Sequence, residues 1–353
     1  MRRGDLLYGP IPGLEGLPTT APRFHAWDVM DVNMPDGKPW ASVAASELNI
    51  SAVVFLTMRA ASCSFLTHPI HHTFDEYPFS ALTLPESDNL RIAQLMNSSA
   101  NGYKNKERFW ECMERSSNIV LIKTFRVMEA KSLISEKEGG DCWASSSRTC
   151  QQGRRWTQDH GDRRQLSSAV LVSSGSEYFL SEEEREEIAY GLELSNVGFI
   201  WVLKFHGGGE VTVHEALSQG FLQRIGHRGL VVEGWAPQAK ILGHPGIGEF
   251  VSHCGWSSTL EAILLGVPII AMPMHLDQPL NAKLAVEIGA VMEVDRGSGG
   301  FRREEVARVI QQVMVEEKGQ EAKRNAQELG ERMREEQEEM DGAVEKLKQL
   351  IEV

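Results

Sequence analysis

The chain has no long uninterrupted apolar run, no paired-cysteine motif and no surplus of positive charge, and each absence removes a class of protein. The longest apolar stretch, Ala262 to Met274, is broken by Gly266, Pro268 and Pro273, so it does not read as a membrane span. Met1-Arg2-Arg3-Gly4-Asp5 is followed by no apolar core of signal-peptide length, so neither a leader nor membrane insertion is expected. The 5 cysteines, Cys63, Cys112, Cys142, Cys150 and Cys254, are odd in number and form no C-x-x-C pair. That argues against a disulfide framework or a zinc ribbon and favours a reducing cytoplasm. With 36 Lys and Arg against 49 Asp and Glu, the net charge of -13 argues against a nucleic-acid partner, because broad phosphate recognition needs excess cations. A single phosphate pocket built from backbone amides needs no such excess.

What is present points to two globular domains. A chain of 353 residues exceeds one ordinary core, and 42% apolar with 24% charged residues is the composition of a packed protein. From Ser168 onward short apolar runs alternate with helical patterns, the rhythm of βα units and a parallel sheet. Strands are expected at Ala169 to Ser173, Val197 to Leu203, Leu230 to Val232, Gly248 to Ser252 and Val267 to Ala271. Ser181 with Glu184 makes a capping box, and Pro237 is suited to start a short helix. Beyond Pro279 the pattern reads as helical to the end, with a charged segment from Gln320 to Val353.

The first part is less regular. Ser51 to Leu56 and Ile119 to Lys123 read as strands, and residues 139–167 show neither strand nor helix periodicity, as a linker or out-of-frame text would. The expected division is an incomplete acceptor-side domain over 1–138, a linker over 139–167, a Rossmann-like domain over 168–335 and a terminal helix over 336–353.

The segment from Trp235 to Gln278, WAPQAKILGHPGIGEFVSHCGWSSTLEAILLGVPIIAMPMHLDQ, reads physically as strand, tight turn, helix and strand, ending in a polar cluster. His253-Cys254-Gly255-Trp256-Ser257-Ser258 follows a strand and opens a helix, where free N–H groups and the positive helix end favour a phosphate. Each residue also has a plainer explanation. Ser258-x-x-Glu261 is a capping-box pattern, Trp235 fits a buried aromatic, His253 a structural histidine, and Asp277-Gln278 a helix N-terminal pair.

Taken together, the segment resembles the signature box of plant family-1 UDP-dependent glycosyltransferases, from its opening Trp to its closing Gln. The likeness extends over 168–353, through Gly175-Ser176-Glu177-Tyr178-Phe179-Leu180, Met272 to Ala282 and the tail around Met340-Asp341-Gly342, and is greatest to the sugar-to-sugar glucosyltransferases. The resemblance implies an α/β protein of the GT-B type, two Rossmann-like domains facing across a cleft, with UDP-glucose as co-substrate and no metal. It implies Trp235 stacked on uracil beside Ala236 and Gln238, and Glu261 on the ribose hydroxyls. His253, Gly255, Ser257, Ser258 and Ser176 would surround the diphosphate, with Trp256, Asp277 and Gln278 at the sugar. Ser257 stands where Asn is more usual, as in the subgroup that extends glycosides, and the terminal Gln278 leans toward glucose.

The resemblance implies transfer with inversion to a small-molecule or glycoside hydroxyl, with a His as base and an Asp orienting it, and a monomer is expected. The box begins roughly a hundred residues early for a full two-domain chain, so the loop carrying that His is expected to be absent. His25, in a Pro-rich stretch, is not promoted to base; Asp36, then Asp31, is nearest to the orienting position before Pro39-Trp40-Ala41. His68, His71 and His72 lack companion ligands for a metal. The alternative is a UDP-sugar-binding remnant that has lost catalysis. A nicotinamide-dependent oxidoreductase is disfavoured, because Gly246-x-Gly248 lacks a third glycine at the required offset.

Overall fold

The computed structural model describes residues 54–68, 84–100, 103–115, 119–129, 141–144, 169–205, 212–297 and 300–338. His25, Asp31, Asp36, Pro39-Trp40-Ala41, His71, His72 and residues 339–353 lie outside them.

The second half is organised by six strands: β6 (Ala169–Ser173), β7 (Gly198–Leu203), β8 (Gly229–Glu233), β9 (Ile247–Ser252), β10 (Ile269–Ala271) and β11 (Val291–Glu293). All pair in parallel in the order β11-β10-β9-β6-β7-β8, so the chain starts in the middle, builds one edge and then crosses back to build the other. This doubly wound order has its switch point between β6 and β9, and the crevice beyond their carboxyl ends is where such sheets bind ligands.

The strands read as apolar runs because helices cover both faces. Leu171, Phe250 and Ile269 point into one core with Leu260 and Ile263, while Val170, Val172, Val251 and Ile270 point into the other with Ile188, Leu192, Val306 and Ile310. The helices are α4 (Glu182–Ser195), α5 (Val213–Ala216), α6 (Phe221–Ile225), α7 (Gln238–Leu242), α8 (Trp256–Leu264), α9 (Gln278–Glu287), α10 (Arg303–Val315) and α11 (Glu317–Glu338). The capping box at α4 is formed as expected: Ser181 Oγ accepts from the Glu184 N–H at 3.2 Å, and the Glu184 carboxylate accepts from the Ser181 N–H at 2.9 Å.

The expectation of unbroken helix after Pro279 is corrected by β11. Val291-Met292-Glu293 is too brief for its period to be visible, and it follows Gly289, whose φ of 73° ends the preceding helix. The charged terminal segment also has a buried side. Ala322, Ala326, Leu329 and Met333 recur at helical spacing and pack into the core, so α11 is amphipathic rather than polar all round.

The first half contains β1 (Val54–Leu56), α1 (Ala60–Thr67), α2 (Glu86–Asn97), β2 (Ser99–Ala100), β3 (Tyr103–Lys104), α3 (Asn105–Glu114), β4 (Ile119–Ile122) and β5 (Asp141–Ala144). Of the strands expected at 51–56 and 119–123, β1 forms over Val54–Leu56, with 51–53 outside the described residues, and β4 over Ile119–Ile122; β1, β4 and β5 pair in parallel. Within 139–167, read as lacking strand periodicity, Asp141–Ala144 forms a strand because β4 offers it an edge, not because its own pattern is strong. The halves are tied together: α11 returns to the first half, where the Glu336 carboxylate accepts from the Arg126 and Val127 N–H groups just after β4.

Candidate active site

The switch-point crevice opens into a cavity of about 820 Å³ lined by both halves. At its floor β6 and β9 end side by side, with the His253 N–H donating to the Ser173 carbonyl at 3.3 Å. The chain then turns through Cys254, whose φ of 61° is left-handed, and Gly255 caps α8, which begins at Trp256. The first N–H groups of α8 therefore face the cavity without intrahelical partners.

Two glycines make this turn possible. A Cβ on Gly255 would lie 2.4 Å from His253 Nε2, and one on Gly175, at φ 86°, would lie 2.5 Å from the same atom. The imidazole is thus wedged between two backbones, and only glycine lets them approach it. Burial pushes the His253 pKa down to about 4, against the nearby Ser173 carbonyl, which favours the charged form. The ring is neutral at pH 7, and its Nδ1 is buried without a hydrogen bond among the described residues.

The capping-box explanation of Ser258 and Glu261 is corrected. Because α8 starts at Trp256, Ser258 lies inside the first turn and Glu261 beyond it. Glu261 instead accepts from Gln238 Nε2 at 2.9 Å, and the same amide reaches Ser258 Oγ at 3.1 Å, so α7 and α8 hold one polar edge of the cavity between them. The buried-aromatic explanation of Trp235 also fails, since its side chain is 77% exposed at the cavity edge. Most of the indole therefore faces solvent beside the cavity.

At the opposite end, Asp277 precedes α9 and Gln278 opens it. Gln278 Oε1 accepts from the Met274 and His275 N–H groups at 2.9 and 3.1 Å, bracing the turn, and its Nε2 lies 3.0 Å from His275 Nδ1. The Asp277 carboxylate accepts from Asn281 Nδ2 at 3.1 Å, and burial raises its pKa. Trp256 is buried, its indole N–H donating to the Lys123 carbonyl of the first half. All of Ser176, Trp235, Ala236, Gln238, His253, Gly255, Trp256, Ser257, Ser258, Glu261, Asp277 and Gln278 line the one cavity.

Sequence reasoning missed the first half's contribution. Lys123 Nζ donates to Ser257 Oγ at 2.8 Å, bringing a cation to the N-terminal end of α8. Met58, Leu66, Ile92, Leu95, Met96 and Phe109 form an apolar wall interrupted by Asn105 and Arg108. Nothing in their local patterns signals a site, because each acts through partners distant in the chain. Among the described residues no group of three or more His, Cys, Asp or Glu side chains is arranged to hold a metal, and no helix is long and apolar enough to cross a membrane.

Two α/β halves facing a shared cavity, the second with a doubly wound sheet and a helix N-terminus at its switch point, define the GT-B class. The family model for UDP-glucoronosyl and UDP-glucosyl transferase matches residues 113–337. UDP-glucosyltransferase 29 of Panax ginseng is 45% identical, over 96% of this chain and 78% of the relative. Beta-D-glucosyl crocetin beta-1,6-glucosyltransferase of Gardenia jasminoides is 38% identical, over 98% and 79%. The solved structure of Phytolacca americana UGT2 complexed with UDP-2fluoro-glucose and pterostilbene superposes with a TM-score of 0.65 at 27% identity, covering 83% of this chain and 69% of that one. The chain belongs to this family of UDP-dependent glycosyltransferases: it is a transferase whose co-substrate is a UDP-sugar.

Proposed function

We propose that the enzyme transfers glucose from UDP-glucose, with inversion, to a hydroxyl of a small molecule that already carries a sugar. The observation that carries this reading is the convergence of the twelve donor-side residues on one cavity whose other wall is apolar. In it, Trp235 stacks on the uracil, Glu261 and Gln238 take the ribose, and the turn from His253 to Ser258 with Ser176 receives the diphosphate. Asp277, Gln278 and Trp256 meet the hexose. The acceptor hydroxyl oxygen attacks the anomeric carbon as that carbon's bond to the diphosphate breaks, the hydroxyl proton is released to water or a base, and the charge gathering on the leaving diphosphate is met by the N-terminal N–H groups of α8. Asp36, read as the residue that orients the base, lies outside the described residues.

A glycoside as acceptor is supported by Ser257 and by the Gardenia jasminoides relative, whose name gives a glucosyl compound as what it acts on. The wall of Met58, Leu66, Ile92, Leu95, Met96 and Phe109 suits the apolar body of such a molecule. A reducing cytoplasmic setting suits the buried thiols Cys63, Cys112 and Cys254. The division at 139–167, with 168–335 holding the donor, follows the same reading.

Incubation with UDP-glucose and a flavonoid glycoside, followed by mass spectrometry and UDP release, tests it. Gain of one hexose with stoichiometric UDP is expected; UDP binding without product would sink the reading and favour the remnant. A narrower check concerns the base platform. Trp235→Ala is expected to raise the Kd for UDP about tenfold, within the ~1–3 kcal/mol that base stacking contributes. Because the ring is exposed, the melting temperature should stay within about 1 °C of wild type, so calorimetric titration and thermal unfolding together separate stacking from stability.

A further inference from the structure

Asn281 has no part in the roles assigned above, yet it is fully buried and its amide bonds to three separate pieces of the protein. Nδ2 donates to the Cys254 carbonyl at 3.0 Å and to Asp277 Oδ2 at 3.1 Å, and Oδ1 accepts from Ser62 Oγ at 3.3 Å. Both amide hydrogens are used, so the side chain is locked in one rotamer and one flip state.

Each partner has a distinct position. Cys254 is the left-handed residue between His253 and Gly255, so its carbonyl direction sets the turn at the diphosphate end of the cavity. Asp277 lines the sugar end. Ser62 lies on α1 in the first half, and it also accepts from Arg59 Nε at 3.2 Å. Arg59 lies 3.7 Å from the Glu129 carboxylate, which caps α1 by accepting from the Ala60 and Ala61 N–H groups, each at 3.0 Å. A buried polar chain thus runs from Glu129 through Arg59 and Ser62 to Asn281, where it divides between the two ends of the donor cavity. In such an environment a shared amide couples its partners strongly, because a lost bond leaves a buried group unsatisfied.

We propose that Asn281 is a positioning residue that holds the Asp277 carboxylate in register with the Cys254 turn, and so sets discrimination among UDP-hexoses. Ser62 extends the coupling to the acceptor half. This rests on the donor-site reading above. A merely structural asparagine would pin α9 to the turn and affect every donor alike. A positioning one weakens the correct hexose more than the nucleotide, since Asp277 meets only the hexose.

The test uses the full chain and calorimetric titration of UDP, UDP-glucose and UDP-galactose, so it does not depend on turnover. Asn281→Asp keeps the shape and the acceptor for Ser62 but removes both donated hydrogens and sets a second carboxyl beside Asp277. It is expected to raise the Kd for UDP about threefold, through the lost bond to the Cys254 carbonyl, and to lower the wild-type preference for UDP-glucose over UDP-galactose by about tenfold, the worth of one charge-assisted hydrogen bond. The lost preference should return in part as pH falls, because a buried carboxyl beside Asp277 takes up a proton more readily than an exposed one and can then donate one hydrogen bond. Ser62→Ala cuts only the arm to the first half. It should leave the Kd for UDP unchanged and lower kcat for the glycoside acceptor about fivefold, with a melting temperature within about 2 °C of wild type. Equal proportional loss for UDP, UDP-glucose and UDP-galactose in Asn281→Asp overturns the proposal, as does retained preference. Wild type that fails to bind UDP overturns the donor-site reading itself, an outcome visible before any variant is made.

Discussion

Glu261→Ala is expected to raise the Kd for UDP about 100-fold while shifting the melting temperature by less than about 2 °C. The expectation follows from where α8 begins. With Gly255 as its cap, neither Ser258 nor Glu261 closes the helix start, so removing the carboxylate costs the helix little. The carboxylate is partly exposed to the cavity and held by Gln238 at 2.9 Å, so it is fixed before a ligand arrives. A carboxylate that accepts from two neighbouring hydroxyls makes charge-assisted bonds of ~1.5–3 kcal/mol each, and loss of about 3 kcal/mol in all corresponds to about 100-fold. Glu261→Gln, which keeps a neutral acceptor of the same reach, should lose about tenfold. Calorimetric titration with UDP and thermal unfolding of both variants decide the matter. A lowered melting temperature with unchanged affinity would restore the capping role.

This case shows what a local pattern can and cannot carry. S-x-x-E describes a capping box only if the helix starts at the serine, and here it starts earlier because Gly255 and the left-handed Cys254 turn the chain sooner. No residue type announces a positive φ at a cysteine; the position follows from the neighbouring His253 ring, which needs backbone on both sides. The strands β6, β7, β9 and β10 were legible because burial on both faces demands apolar runs, and the half-exposed edge strand β8 through its β-branched Val231-Val232, whereas β11 and β5 are short and owe their form to an available edge. The twelve residues that line the donor side of the cavity were picked out through the family resemblance, eleven of them between Trp235 and Gln278. Lys123 and Asn281 were not, because their roles are made by bonds between the two halves, Lys123 with Ser257 and Ser62 with Asn281, that sequence spacing does not encode.

The sheet that carries the site also carries a pH liability, and Glu249→Gln is expected to remove it. Glu249 lies on β9, four residues before His253, and is only 5% exposed. Its Oε2 has no hydrogen bond among the described residues, and the charge of Lys323 on α11 offsets its burial only in part. Desolvation raises its pKa from 4.5 to about 7. The folded state therefore holds this proton more tightly than the unfolded chain does. The associated stability is fully present below about pH 4.5 and is lost as pH rises through about 7. The shift from 4.5 to about 7 corresponds to about 3 kcal/mol, a large share of the ~5–15 kcal/mol that holds a typical domain together. Glutamine has the same shape and no charge to bury. The variant should match wild type at about pH 4 and exceed it by about 3 kcal/mol at pH 8 in urea unfolding. Carboxylates such as Glu187 and Glu305, whose pKa values are lowered mainly by hydrogen bonds from arginines, act in the opposite direction in both proteins and cancel in the difference. Parallel pH profiles for the two proteins would mean that Glu249 is not protonated in the folded state and that β9 carries its charge by other means.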